Sequence, residues 1–299
     1  MSAPALNEEA FDITPETEER GELREVFTHL LENKTAVVGM MVIGLFLVVA
    51  VAAPLLTSYD PLATDFGRAL QAPSAEHLLG TDELGRDLLT RVLYGTRISL
   101  GIGLISVSIG LLFGVPIGAI SGYYGGRLDL TVQRLMDIMI AFPGILLAII
   151  IVVVLGVGVI NVMIATGIAS IPVYARLVRG SVLSIKRNNY VMAAKAEGLS
   201  DGRIIFLHIL PNCLGPIIVQ STFQIATAIL WAAGLGFLGL GAQPPTPEWG
   251  AILSRGRQYM RVAHHLTTFP GLAIFFMVLG FNLVGDGLRD AIDPKMRGR

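Results

Sequence analysis

Charge is scarce in this sequence. Only 15% of its 299 residues are Asp, Glu, Lys or Arg, against 53% apolar, and mean hydropathy is +0.66. A soluble domain carries about 25% charge, so a soluble globular domain does not account for the whole chain. Cysteine is nearly absent too. Cys213 stands alone, which excludes an internal disulfide and reads as a small buried apolar residue near a helix start. No Lys follows a Gly anywhere, so the phosphate-binding loop that ends in Gly-Lys is missing. The paired-histidine helix of zinc proteases and the Gly-x-Ser-x-Gly elbow of hydrolases are missing as well. His264-His265 is the only histidine cluster, and neighbours on a helix point about 100° apart, a poor chelate. No metal, cofactor or catalytic set is expected in this chain. Basic clusters interleaved with aromatics are also lacking, which removes nucleic acid as a partner.

What is present is a series of long uncharged runs. Residues 36–56 carry no charge, nor do 98–124, 138–174, 204–243 (apart from His208, neutral at pH 7) and 266–284. About 20 apolar residues in a helix cross ~30 Å of hydrocarbon. The third run is too long for one crossing. Gly156-Val157-Gly158, followed by Asn161, offers a turn that divides it, giving an all-α integral membrane protein of six spans. The first 25 residues include eight acids, the reverse of a basic signal-peptide start, so the first span is expected to be retained. The chain divides into an acidic disordered leader over 1–25, an N-terminal span with an external segment over 26–97, and a core of five spans over 98–299.

Orientation follows from positive charge. If the N-terminus lies inside and six spans alternate, the outside segments hold only Arg68, Arg86, Arg91, Arg97, Arg255, Arg257 and Arg261 of the 22 Lys and Arg. The remaining fifteen fall inside, which places both termini in the cytoplasm. The spans are almost free of ionisable groups, whereas proton- or sodium-coupled carriers place such groups at mid-membrane depth. That disfavours a secondary carrier, as the missing catalytic sets disfavour a membrane-embedded enzyme. Asp137 is the one acid near a span and is expected to pair with Arg134. Ser106, Gly110, Gly114, Gly118 and Gly122 recur every fourth residue, a stripe that lets another helix, within the chain or in a second subunit, approach closely. Pro116 is expected to bend that span.

The largest loop expected on the cytoplasmic side, residues 187–211, has a pattern of its own. A helical stretch ends at Gly198, a suitable C-cap. Ser200 or Asp201 can cap a second short helix that carries Arg203, Ile204, Ile205, Phe206 and Leu207. Pro211 stands where the fifth span begins. Two short helices joined by a turn would present an apolar patch to the cytosol, a docking surface.

This stretch resembles the EAA motif of ATP-binding-cassette importer permeases. Ala193, Ala194, Gly198, Leu210 and Pro211 fall in register, while Met192 stands for the motif's Glu and His208 for its first Ile. Three further stretches, 77–87, 239–250 and 282–294, are similar to the dipeptide/oligopeptide permease C subunits, as is the extra N-terminal span. The resemblance implies a type I importer permease fold in the cell membrane. It implies a coupling helix near 196–207, with Ala193, Ala194, Gly198, Asp201, Arg203, Ile204, Phe206, Leu210 and Pro211 meeting an ATPase subunit. Two ATPases that bind ATP and Mg, a homologous B-type permease and an external solute-binding protein would be the partners, besides membrane lipid. Short peptides would be the substrate, with nickel and glutathione permeases as siblings. On physical grounds, Leu84, Leu88 and Val92 suggest a helix lying on the outer surface, with Asp87 paired to Arg91. Trp249, after Pro244, Pro245 and Pro247, fits an interfacial anchor. Asp286, Arg289 and Asp290 share a face suited to a salt network.

Overall fold

The computed structural model describes residues 28–292, so the acidic leader lies outside the described residues. Among the described residues every named element is helical, and only an isolated bridge between Thr81 and Asp87 has β character. Helix α1 (Lys34–Leu56) starts at Asn33, whose side chain accepts from the N–H groups of Thr35 and Ala36. Its run of Val, Ile, Leu and Met then leaves much of the surface exposed, as lipid contact allows. Helix α2 (Leu88–Tyr124) follows a largely irregular segment, and α3 (Gly126–Ala141), α4 (Gly144–Leu155) and α5 (Val159–Ile185) complete the first half. The short α6 (Asn189–Ala196) and α7 (Asp201–Arg203, continued as one π-helical turn Ile204–Ile209) form the loop. Helices α8 (Leu214–Phe237), α9 (Trp249–Gly256) and α10 (His265–Ile292) complete the described residues.

Among the described residues, five segments are long and apolar enough to cross a membrane: α1, α2, α5, Pro211–Phe237 and α10. The sixth expected span is a bent pair. Helices α3 and α4 meet at 91° across Phe142-Pro143. Proline disfavours helical geometry in the residue before it, and Phe142 is accordingly extended. Helix α4 alone is 12 residues, about 18 Å, so one straight crossing here gives way to an elbow.

A second expectation changes at α2. The segment before the second span does not lie on the outer surface. It continues the span, giving one helix of 37 residues, about 55 Å long. Asp87 starts it by accepting from the Thr90 N–H and hydroxyl, at 2.7 and 2.6 Å. Asp87 therefore does not pair with Arg91. Its other oxygen takes the buried His77 Nδ1 at 2.9 Å, and Arg91 turns to Asp82 and the Pro61 carbonyl. The expected i,i+4 pair loses because the capping oxygens are already committed.

The main seam is α2 against α5. A methyl group added at Gly114 would stand 2.7 Å from the Ile171 carbonyl, and one at Gly118 would press on the Ala175 carbonyl. Gly110 would meet Tyr174 at 2.8 Å. Ser106 and Thr166 hydroxyls meet at 2.6 Å across the same seam. Helix α1 packs on α10 the same way, with Gly39 beside the Gly280 carbonyl.

Outside the spans at the N-terminal end of α2, a buried polar layer ties three segments together. Arg86 reaches Asp82 at 2.6 Å, and Glu83 accepts from Arg255 of α9 at 3.0 Å. Trp249 is part of this layer rather than an interfacial anchor. It is wholly buried, its Nε1 donates to the Val92 carbonyl at 2.9 Å, and Gly95 makes room for the ring. His265 Nε2 donates to the Thr81 carbonyl at 3.2 Å, which takes it out of any His264–His265 chelate. No ion pair joins Asp286, Arg289 and Asp290, and Asp290 instead accepts from Asn33 at 3.4 Å.

Candidate functional site

The loop between α5 and α8 folds as two short helices around a tight turn, and its local chemistry explains why. Helix α6 has Glu197 as its C-cap, and Gly198 takes φ +83°, a conformation glycine adopts without steric cost. The Leu199 N–H reaches back to the Ala194 carbonyl and the Gly198 N–H to the Lys195 carbonyl. This is the Schellman pattern of a helix end. Leu199 packs into the same apolar cluster as Ala194, the side-chain contact that accompanies the pattern.

Beyond the turn, the expected side-chain cap is missing. Ser200 occupies the N-cap position without a side-chain hydrogen bond. Asp201 is drawn away by the Tyr123 hydroxyl at the end of α2, which donates to its Oδ1 at 2.7 Å. Lys186, just past α5, donates to the Gly122 and Tyr123 carbonyls at 2.7 and 3.3 Å. Cations are favoured at such helix C-termini, where carbonyls lack partners. The loop is thus fastened to the ends of two spans by polar contacts and from below by an apolar cluster.

The expected apolar patch divides into two faces. Ile204 and Ile209 are wholly buried and Ile205 nearly so, anchoring the loop in the cluster with Val178, Val182 and Cys213. Phe206 and Leu207 point outward, 67% and 62% exposed, with Met192 at 53%. The split follows from helical geometry, which turns successive side chains about the axis. Of the residues singled out from sequence, Ala193, Gly198, Arg203, Phe206 and Pro211 lie on the exposed side. Ala194 and Ile204 face inward, Asp201 is half-buried, and the half-buried Leu210 closes the turn by donating to the Ile205 carbonyl at 2.9 Å.

Sequence reasoning missed Tyr123 and Lys186, since neither lies within a loop motif and Tyr123 stands 78 positions before Asp201. It also mispaired Asp137. That carboxylate accepts from Arg176 of α5 at 2.8 Å, not from Arg134, and Asp129 takes Arg179 in a two-pronged bond at 2.5 and 2.6 Å. The elbow explains both pairs, because it lays α3 across α5. Among the described residues no group of three or more His, Cys, Asp and Glu is placed to hold a metal ion. The exposed loop offers apolar surface and positive charge, a chemistry of docking.

Comparison with known proteins gives a consistent picture. Residues 114–298 match the model of the binding-protein-dependent transport system inner membrane component, and residues 22–73 match the N-terminal transmembrane domain of oligopeptide transport permease C. The chain is 53% identical to a dipeptide transport system permease protein of Alkalihalophilus pseudofirmus, over 92% of this chain and 90% of the relative. It is 46% identical to a glutathione transport system permease protein of Pectobacterium atrosepticum, over 92% and 91%. In three dimensions it is similar to an inward-facing structure of the MetNI methionine ABC transporter. That match has a TM-score of 0.57 at 21% identity, covering 69% of this chain and 98% of that one.

Proposed function

The chain belongs to the binding-protein-dependent transport system inner membrane components, and from that premise we propose that it passes short peptides across the membrane as the permease subunit of an ATP-binding-cassette importer. The observation that carries the mechanism is the loop of residues 189–209, rooted by Ile204 and Ile209 and exposing Phe206 and Leu207. Movement of a docked ATPase is transmitted through this loop to α2, by way of Asp201 and Tyr123, and to α5. ATP and Mg belong to two ATPase subunits. A homologous B-type permease completes the pathway, and an external solute-binding protein delivers the solute. Both termini lie in the cytoplasm, in keeping with the distribution of Lys and Arg. Short peptides are favoured by the dipeptide relative. The glutathione relative falls in the same chemical class, since glutathione is itself a tripeptide.

Gly198→Asp tests the reading. A side chain at φ +83° strains the backbone by about 1 kcal/mol or more, and a carboxylate would stand on the docking face. Reconstituted with its partners, the variant is expected to insert in the membrane yet lose peptide uptake and the ATPase stimulation that loaded binding protein causes. Uptake and stimulation equal to wild type would remove residues 192–211 from the coupling role. The purified chain alone is expected to hydrolyse no ATP.

A further inference from the structure

A pocket of about 450 Å³ opens between the ends of α2 and α5 and the inner flank of α6. Its charged walls are Lys186, Arg187, Lys195 and Asp201, with Tyr123 and Met192 beside them. Three cations thus face one carboxylate, and that carboxylate already accepts the Tyr123 hydroxyl. Lys186 is held by two backbone carbonyls. Arg187 and Lys195 form no ion pair among the described residues, and both are exposed. Met192 occupies the position where the EAA motif carries Glu, so an acid that would balance this pocket is replaced by an apolar wall. The pocket walls therefore carry more positive than negative charge, with Asp201 as their one carboxylate.

We propose that this pocket seats a carboxylate side chain of the ATPase subunit, which pairs with Lys195 and Arg187 when the loop docks. The inference rests on the permease reading and names the chemistry of its partner at the same loop. Two features favour a protein carboxylate as the occupant. Lys195 and Met192 line the pocket from α6, and α6 packs against the turn that exposes Phe206 and Leu207, so a chain covering that apolar face has the pocket beside it. Complementary charge also fixes the register of a docked surface, which the apolar face alone does not. A carboxylate bridging α6 to the ends of α2 and α5 joins partner, loop and spans at one point.

Carbodiimide coupling tests this on the assembled complex, because it joins only a lysine amine to a carboxylate already in contact. The expected product is an amide between Lys195 and an Asp or Glu of the ATPase, identified by mass spectrometry of the linked peptides. Lys195→Arg keeps the charge and has no amine to couple, so it should co-purify with the ATPases but give no adduct. Lys195→Glu should lower ATPase co-purification by roughly tenfold or more. A wild-type complex that assembles and yields no Lys195 adduct overturns the proposal while leaving the function standing. So does a Lys195→Glu chain that keeps its ATPases but loses co-purified anionic phospholipid, which would assign the pocket to a lipid headgroup. Wild-type chain that never co-purifies with the ATPases overturns the function and this inference together.

Discussion

Glu248 is the residue with the most unusual surroundings. It is 2% exposed, and its two oxygens accept from the Gly250 and Ala251 N–H groups at 2.8 Å each, capping α9. Burial pushes its carboxyl from 4.5 up to about 7, while those two N–H donors pull the other way and only partly offset it. A raised pKa in the folded state means the folded protein holds this proton more tightly than the unfolded chain does. The associated stability is complete below the ordinary carboxylate value and is lost as pH rises through about 7. With about 1.4 kcal/mol per unit, the change amounts to about 3 kcal/mol. Melting temperatures in detergent should therefore fall for wild type between about pH 5 and about pH 8. In Glu248→Gln that part of the slope should vanish; an equal slope in both would show that this carboxyl does not titrate there. The sequence displayed Glu248 beside Trp249 without indicating that either is buried. Their burial depends on Gly95 and Gly236 in two other helices, which leave the room.

The elements were largely legible, and the departures share one cause. Uncharged length located α1, α5, α8 and α10, and Gly198 marked the turn of the loop, because these signals are local. The elbow between α3 and α4 was not read, although Phe142-Pro143 stood in the third run. Apolar length reports that a segment tolerates lipid, and it is silent about direction. The spacing of four along α2 was legible as a packing stripe, but its partner was not, since a stripe names no neighbour. The structure places α5 there, which leads to a contrast between two glycines of one helix. Gly118→Val should force α2 off the Ala175 backbone, costing about 1–3 kcal/mol or more. Gly101→Ala should be nearly silent, because its nearest neighbour is the flexible end of Met163 at 3.9 Å. Thermal stability of the two purified variants decides the matter. Equal melting temperatures would mean the seam is looser than described.

For the whole molecule, the membrane class was legible from the long uncharged runs, and the importer family from the stretch that resembles the EAA motif. The buried polar layer was not, because His77–Asp87 and Glu83–Arg255 join residues that only the fold brings together in the dry. Orientation is tested by single cysteines at exposed positions. Cys213 is wholly buried, so the native thiol can stay in place. Phe66→Cys should react with a membrane-impermeant maleimide from outside intact cells, and Gly202→Cys only after the membrane is opened. Labelling of Gly202→Cys from outside would invert the topology.

Helix α2 gives this arrangement a mechanical side. At about 55 Å it overshoots a hydrocarbon core of about 30 Å by nearly its own half, and it carries fixed loads at both ends. Tyr123 grips the loop at one end, and Asp87 and Arg91 grip the buried polar layer at the other. Close glycine contacts strap it to α5 along the way, so the two helices form a double rod rather than a flexible tether. A tilt of about 10° about one end swings the other by about 10 Å, from the length alone. On the coupling role proposed above, a displacement at one end of α2 would be carried to the other by leverage.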